Sequence, residues 1–312
     1  MVLSELSGGL GNQFFRYAFA RAYIEKRAKN DQLVLNYNQI NHHGAAGDIE
    51  NFNIMEHEKI VTDRLVFAKG SLKQKILFAL YGFEKRIMIK MGQKTERDVR
   101  HKWIPRLRSN GIILVRDLNE DYEIDTNSEK LFIFGTFENS KYFSSIKDIL
   151  KKEFTPKEAP LPENSALYDV IKNRNSVCVN VRRGDYLKGR NRDNYFVCDE
   201  DYYRKAIDII KQKVESPVFI FFSNDINWVK EHLSVDCECY YESGSDPVWE
   251  TFRLMYSCKH FIISNSTFHW WAQYMGSFPD KIVVSPARWY RNPNWKSHLI
   301  EPYFTTIETI KG

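Results

Sequence analysis

The densest chemistry in this sequence sits where apolar runs stop. Val177-Cys178-Val179-Asn180-Val181-Arg182 alternates, so Asn180 and Arg182 share one face of a strand, and Arg183-Gly184-Asp185-Tyr186 follows. Two adjacent arginines are costly to bury unpaired. A guanidinium fork suits a phosphate, and it suits a carboxylate such as Asp185 equally well. The run ending Phe222-Ser223-Asn224-Asp225 offers Ser223 and Asp225 as a helix cap, or as acceptors for the N–H donors of a base. Ser264-Asn265-Ser266-Thr267 places four capping-type residues before Phe268-His269-Trp270-Trp271, more than one N-cap needs. A helix start furnished with hydroxyls and N–H groups is an anion site. Near the chain start, Gly8-Gly9-Leu10-Gly11 lets the backbone approach a ligand closely, with Asn12 and Gln13 as polar contacts at a helix start.

Other chemistries find less support. A dinucleotide fingerprint needs glycine where Phe14 stands and an acid where Asn36 and Asn38 stand. Asp199-Glu200-Asp201 matches the DxD pattern of metal-dependent sugar transferases, but it also opens a helix, where acids favour the dipole. His42-His43 is a loop pair and His269 falls in a helix, so no metal site is assigned. Cys178, Cys198, Cys237, Cys239 and Cys258 are odd in number and scattered, which reads as free thiols in a reducing compartment.

The elements that must hold these residues follow from periodicity. Val2 to Leu6 reads as a strand, Phe14 to Lys29 as a helix, and Gln32 to Asn36 as the next strand. The stretch 41–127 is less legible. Within it Ser71 to Gly92 is apolar and basic, open to reading as a packed helix or a membrane-surface helix. Leu131 to Gly135 is a buried-type strand, and Tyr142 to Phe154 a helix. Pro156, Pro160 and Pro162 mark a linker, which divides the chain into 1–155 and 156–312. Strands Val177–Arg182, Val218–Phe222, Phe261–Ser264 and Ile282–Ser285 then alternate with helices Asp201–Val214, Ile226–Leu233, Val248–Ser257 and Thr267–Tyr274. Such alternation predicts a parallel sheet covered by helices, with ligands at the carboxyl ends of its strands. Trp270 and Trp271 read as core, and Trp289 as a loop residue.

Composition bounds the class. The 312 residues are 43% hydrophobic and 27% charged, which excludes intrinsic disorder. The net charge of +5 is too mild for a nucleic-acid partner. The apolar run Ile76 to Phe83 falls short of the ~20 residues that span a bilayer. The start MVLSELSGG lacks the features of a signal peptide. A cytoplasmic enzyme is expected, with a peripheral contact at the inner membrane face left open for 71–92.

Taken together, GGLGNQ with FFRYAFARA, GTFENSKYF, NVRRGDY, FSND before Trp228, and CKHFIISNSTFHWWAQYM resemble the bacterial-type α-1,2-fucosyltransferases of glycosyltransferase family 11, in family order from residue 8 to about 290. The resemblance implies an α/β, GT-B-like fold of two Rossmann-like domains facing across a cleft, residues 1–155 on the acceptor side and 156–312 binding the donor. It implies inverting transfer of fucose from GDP-β-L-fucose to the 2-hydroxyl of a terminal galactose on an oligosaccharide or glycolipid, with no cofactor and no divalent metal. Arg182 and Arg183 match the arginines that serve the donor pyrophosphate, and Ser266 and Thr267 the helix cap aimed at the same phosphates. Asp225 matches a guanine contact, with Ser223, Ser264, Asn265 and Gln13 as further donor-side residues, and Asn12 faces the sugar end. Asn180 stands where the family has histidine, so position 180 is expected to bind and not to carry a proton. Arg182 would stabilise the departing diphosphate, and Asp185 would act as base or hold Arg182 in place. The rival readings are a non-catalytic sugar-binding protein and a nicotinamide or flavin enzyme.

Overall fold

The computed structural model describes residues 1–27, 31–42, 48–92, 95–115, 126, 128–187 and 189–309; the side chains of Asn41, His42, Asp185 and Arg190 lie outside that description. The chain divides into two compact units, residues 1–47 with 55–150, and residues 48–54 with 151–312. The second unit recruits 48–54 by burial. Ile49 and Phe52 are fully buried, Phe52 meets Phe252 edge-on, and Asn53 N–H donates to the Thr155 carbonyl.

The first unit runs β1 (Val2–Glu5), α1 (Leu10–Arg27), β2 (Leu33–Asn36), α2 (Asn38–His42), β3 (His57–Ile60), α3 (Leu65–Lys69), α4 (Leu72–Lys90), α5 (Glu96–Arg108), β4 (Ile112–Val115) and β5 (Leu131–Gly135), and α6 (Lys147–Glu153) spans the boundary. Among the described residues, five strands form one parallel sheet in the order β3-β2-β1-β5-β4. Helix α1 begins at Leu10, inside the glycine segment, so Asn12 and Gln13 lie in its first turn and not ahead of it. Two details explain the early start. Gly8 sits at φ +75°, a conformation that favours glycine, and a Cβ there would fall 2.5 Å from Asn12 Nδ2. Gln13, fully buried, donates from Nε2 to the Gly8 carbonyl at 3.0 Å. At the end of β2, Asn36 donates to the Thr62 carbonyl and accepts from Thr62 N–H, closing the turn after β3.

Helices α4 and α5 both start with reciprocal capping, Ser71 with Gln74 and Thr95 with Asp98. Helix α5 escapes periodicity reading because charged residues dominate it and it carries a proline, Pro105, inside. The helix expected from Tyr142 instead begins at Lys147, after two single 3-10 turns at Ser140–Tyr142 and Ser144–Ile146.

The second unit runs α7 (Ser165–Asn173), β6 (Asn175–Val181), α8 (Gly189–Asn194), α9 (Glu200–Lys213), β7 (Pro217–Ser223), α10 (Ile226–His232), β8 (Cys239–Tyr241), α11 (Val248–Ser257), β9 (His260–Ile262), α12 (Thr267–Met275), β10 (Val283–Pro286) and β11 (Thr305–Ile307). Six parallel strands order as β11-β10-β9-β6-β7-β8. Val177, Val179, Phe219, Phe221 and Ile262 pack against Tyr203, Ala206 and Ile210 of α9, all near zero exposure. Each such valine, isoleucine or phenylalanine contributes roughly 1.5–3 kcal/mol on full burial. Two tyrosines of α9 do more than pack. Tyr203 donates its hydroxyl to the Asn180 carbonyl at 3.1 Å, and Tyr202 to the Ile263 carbonyl. Those carbonyls lie where β6 and β9 run out, so α9 holds both strand ends in place.

Trp270 and Trp271 are fully buried, as core residues are. Trp289 is also buried, and its carbonyl accepts from Asn265. The DxD residues are engaged structurally. Asp199 caps α9 by accepting from Tyr202 N–H at 2.9 Å, while Glu200 pairs with Arg204 and Asp201 with Lys205. The five cysteines are free.

Candidate donor site at the strand ends of the second unit

Three neighbouring strands end together. β6 pairs β9 through Val179↔Ile262, and pairs β7 through Asn180↔Phe222 and Val181↔Ser223. The segments 180–186, 223–225 and 263–267 therefore leave the sheet side by side, at the carboxyl edge where open parallel sheets bind ligands.

Asn180 is fully buried. Apart from the Cys178 thiol two residues back, no hydrogen-bonding group among the described residues answers its amide oxygen or nitrogen. Leaving such atoms unanswered costs about 1–3 kcal/mol each. Arg182 lies 5.8 Å from the Tyr186 ring, and the Tyr186 hydroxyl donates to the Asn265 carbonyl at 2.8 Å. This bond ties the Arg182 loop to the segment that opens α12.

Arg183 is held from three sides. Its guanidinium stacks 3.7 Å above the Trp228 ring, its Nε sits 3.8 Å from Asp225 Oδ2, and its backbone N–H donates to Asn224 Oδ1 at 3.1 Å. Asp225 has two jobs at once. One oxygen accepts from Trp228 N–H as the cap of α10, the other faces Arg183, and its own N–H donates to Ser223 Oγ at 2.9 Å. Gly184 packs tightly on Asn224, where a Cβ would come within 2.8 Å of Nδ2. Asp225 is thus the carboxylate beside Arg183. Asp185 lies in the short turn Gly184–Leu187, and its side chain is outside the described residues.

The α12 side divides its labour. Asn265 is a brace: Nδ2 donates to the Phe196 and Trp289 carbonyls at 3.1 and 2.8 Å, and Oδ1 accepts from the Cys198 thiol. Ser264 Oγ and His269 Nδ1 share a 2.8 Å hydrogen bond in the buried interior. Ser266 stands at the N-cap of α12 without a side-chain capping bond, and Thr267 opens the first turn. Burial pushes the His269 pKa down from 6.5 to about 3, with the Arg182 charge acting in the same direction. The imidazole is thereby kept neutral at neutral pH, and the Arg182–Tyr186–Asn265 contacts bring the guanidinium to the start of α12.

Asn180, Arg182, Arg183, Ser223, Asp225, Ser264, Asn265, Ser266 and Thr267 therefore meet at one sheet edge. Asn12 and Gln13 belong to the first unit, where Gln13 braces the glycine turn. Sequence reasoning missed Asn224, Tyr186, Trp228 and His269 as parts of the site. Asn224 offered a signal, since it follows Ser223 at a strand end. Among the described residues, no group of three or more His, Cys, Asp or Glu could hold a metal ion.

The first unit has its own concavity at the carboxyl ends of β1, β4 and β5. It is a cavity of about 750 Å³, lined among others by Glu5, Arg16, Phe78, Tyr81, Arg100 and Gly135. That volume is in the range of small-molecule sites.

Two open parallel sheets, with an arginine-rich edge on the second, define a GT-B-like α/β protein. A selenomethionine fucosyltransferase, NodZ from Bradyrhizobium, shares the fold, at a TM-score of 0.50 and 13% identity over 92% of this chain and 96% of that one. The chain belongs to glycosyltransferase family 11: the model described as "Glycosyl transferase family 11" matches residues 1–303. It is therefore a glycosyltransferase. It is 28% identical to the O-antigen biosynthesis glycosyltransferase WbnK of Escherichia coli, over 94% of this chain and 96% of that protein. It is 29% identical to an alpha-1,2-colitosyltransferase of Escherichia coli, over 95% of each. A galactoside alpha-(1,2)-fucosyltransferase 1 of Homo sapiens is 30% identical over 145 residues, 43% of this chain and 40% of that protein. No described helix is long and apolar enough to cross a membrane.

Proposed function

We propose that the protein transfers L-fucose from GDP-β-L-fucose to the 2-hydroxyl of a terminal galactose, with inversion and without a divalent metal. The observation that carries this reading is the convergence of Arg182 and Arg183 with the start of α12, whose N-cap Ser266 makes no side-chain capping bond. The galactose oxygen attacks the fucose anomeric carbon. The bond to the β-phosphate oxygen breaks, and GDP departs with the electron pair. Negative charge grows on the diphosphate, and fixed cationic and N–H donors stabilise that growth more than they stabilise the bound donor. Arg182 and the first-turn amides of α12 do this work, while Arg183, immobilised on Trp228 and Asp225, holds the nucleotide end. Asn180 gains the hydrogen bonds it lacks when a polar donor atom enters. The proton of the attacking hydroxyl passes to Asp185 or to water. The cavity of the first unit receives the galactose-terminated acceptor, an oligosaccharide or glycolipid.

A second donor reading rests on the colitosyltransferase relative, since colitose is fucose without its 3-hydroxyl. The deciding experiment incubates the protein with GDP-fucose or GDP-colitose and a panel of galactosides, with and without chelator. Products are read by mass and linkage analysis. A 2-linked fucoside formed at equal rate in chelator is expected. A 2-linked colitoside made in preference would move the reading to the second donor. No product from either donor, or loss of product on chelation, would overturn it.

A further inference from the structure

Helix α4 is apolar on both sides, and only one side is covered. Inward, Leu77 and Tyr81 are buried with Val99, Trp103 and Leu107. Outward, Leu72, Ile76, Leu80 and Phe83 are 75%, 51%, 47% and 66% exposed, at the spacing that puts them on one face. Ile89 and Met91 are exposed at the end of the same element. A helix apolar all round is normally buried all round. An open apolar stripe of this length marks an interaction surface.

The charge around the stripe says which kind. Lys73, Lys75, Arg86 and Lys90 border it, and none has an ion-pair partner among the described residues. The sole acid between residues 72 and 91 is Glu84, which turns to α5 and accepts from Lys102 Nζ at 2.6 Å and Trp103 Nε1 at 2.9 Å. The charged residues that α4 itself places around its outward face are therefore all basic. Two copies meeting through this face by a two-fold would set like charges against each other. A surface of anionic lipid headgroups meets the basic rim with opposite charge, and its acyl boundary receives Leu72, Ile76, Leu80 and Phe83.

We propose that the outer face of α4 docks the protein on an anionic membrane surface. The inner side of the same helix supplies Phe78, Tyr81 and Lys85 to the cavity of the first unit. Docking therefore brings that cavity to the lipid surface, where a lipid-linked acceptor resides. The docking itself does not depend on which sugar is transferred.

The test is flotation of the purified full chain with vesicles of phosphatidylglycerol, against vesicles of phosphatidylcholine. Binding to phosphatidylglycerol and its weakening by salt are expected. Replacing Lys73, Lys75 and Arg86 together by glutamine should lower partitioning on the order of 100-fold, at about five-fold per basic residue. Phe83→Asp with Ile76→Asp should abolish it. All five positions face outward, so the thermal midpoint of each variant should stay near that of the parent. Failure to float, equal flotation with phosphatidylcholine, or flotation indifferent to the glutamine variant would each overturn the proposal. Sedimentation equilibrium completes the test. A dimer broken by Phe83→Asp, with no vesicle binding by the parent, assigns the face to a second copy instead.

Discussion

His269 offers a quantitative check on the electrostatics of the site. Burial, with Arg182 adding to it, pushes its pKa from 6.5 down to about 3. The unfolded chain takes up a proton near the ordinary value, and the folded chain resists doing so for some three further pH units. Below about pH 6.5 the unfolded state therefore binds more protons, and stability falls as pH falls. The stability is fully present above that pH and is lost progressively down to the folded value. At about 1.4 kcal/mol per pKa unit, the loss from His269 alone between about pH 7 and about pH 5 comes to about 2 kcal/mol. His269→Gln removes this titration and keeps a polar side chain for Ser264. The assay is urea unfolding followed by tryptophan fluorescence. Six of the seven tryptophans, all but Trp103, lie in the second unit, so the signal reports the unit that contains the site. His260, whose pKa burial also lowers, titrates in both proteins and cancels in the comparison. Parent minus variant should narrow by about 2 kcal/mol over that pH window. A difference independent of pH would refute the claim that the imidazole is kept neutral beside Arg182.

The site makes further commitments. Arg182→Lys keeps a charge but loses the planar fork, and kcat should fall on the order of 10²–10³-fold with the thermal midpoint little changed. Isothermal titration with GDP should show weakened binding in Arg183→Lys as well, because lysine cannot stack flat on Trp228. Asn265→Ala strips two carbonyls, those of Phe196 and Trp289, of their buried donors; a loss of about 2–4 kcal/mol in chemical denaturation is expected. Asp185→Asn separates its two roles. A pH–rate profile that loses its acidic limb marks a base, whereas reduced GDP affinity under an unchanged profile marks a residue that holds Arg182.

Legibility followed pattern strength. The second unit was readable because β6 and β7 are long enough to show continuously buried runs over Val177 to Val181 and Val218 to Phe222, and because helices such as Val248–Ser257 carry strong periodicity. The first unit hid β3, whose four residues His57–Ile60 are mostly polar, and α5, which carries Pro105 inside it. β8 and β11 have three residues each, too few for any period to declare itself. The start of α1 at Leu10 was hidden as well, since glycine is a poor helix former and Gln13 secures the turn only through a contact back to Gly8.

Residue type and order alone determined that arginines, hydroxyls and a carboxylate collect where parallel strands end, because strand alternation and cap chemistry are local rules. Only the tertiary structure decided what each one does. Asn265 and Ser266 are neighbours of similar chemistry, yet the first is engaged by distant carbonyls and the second stands at an open helix start. Asp225 is both cap and counter-ion because α10 places Trp228 under Arg183. Which side of α4 is covered likewise depends on α5 packing against it. Hydrogen-bond partners and burial are properties of what folds alongside a residue, and no spacing along the chain encodes them.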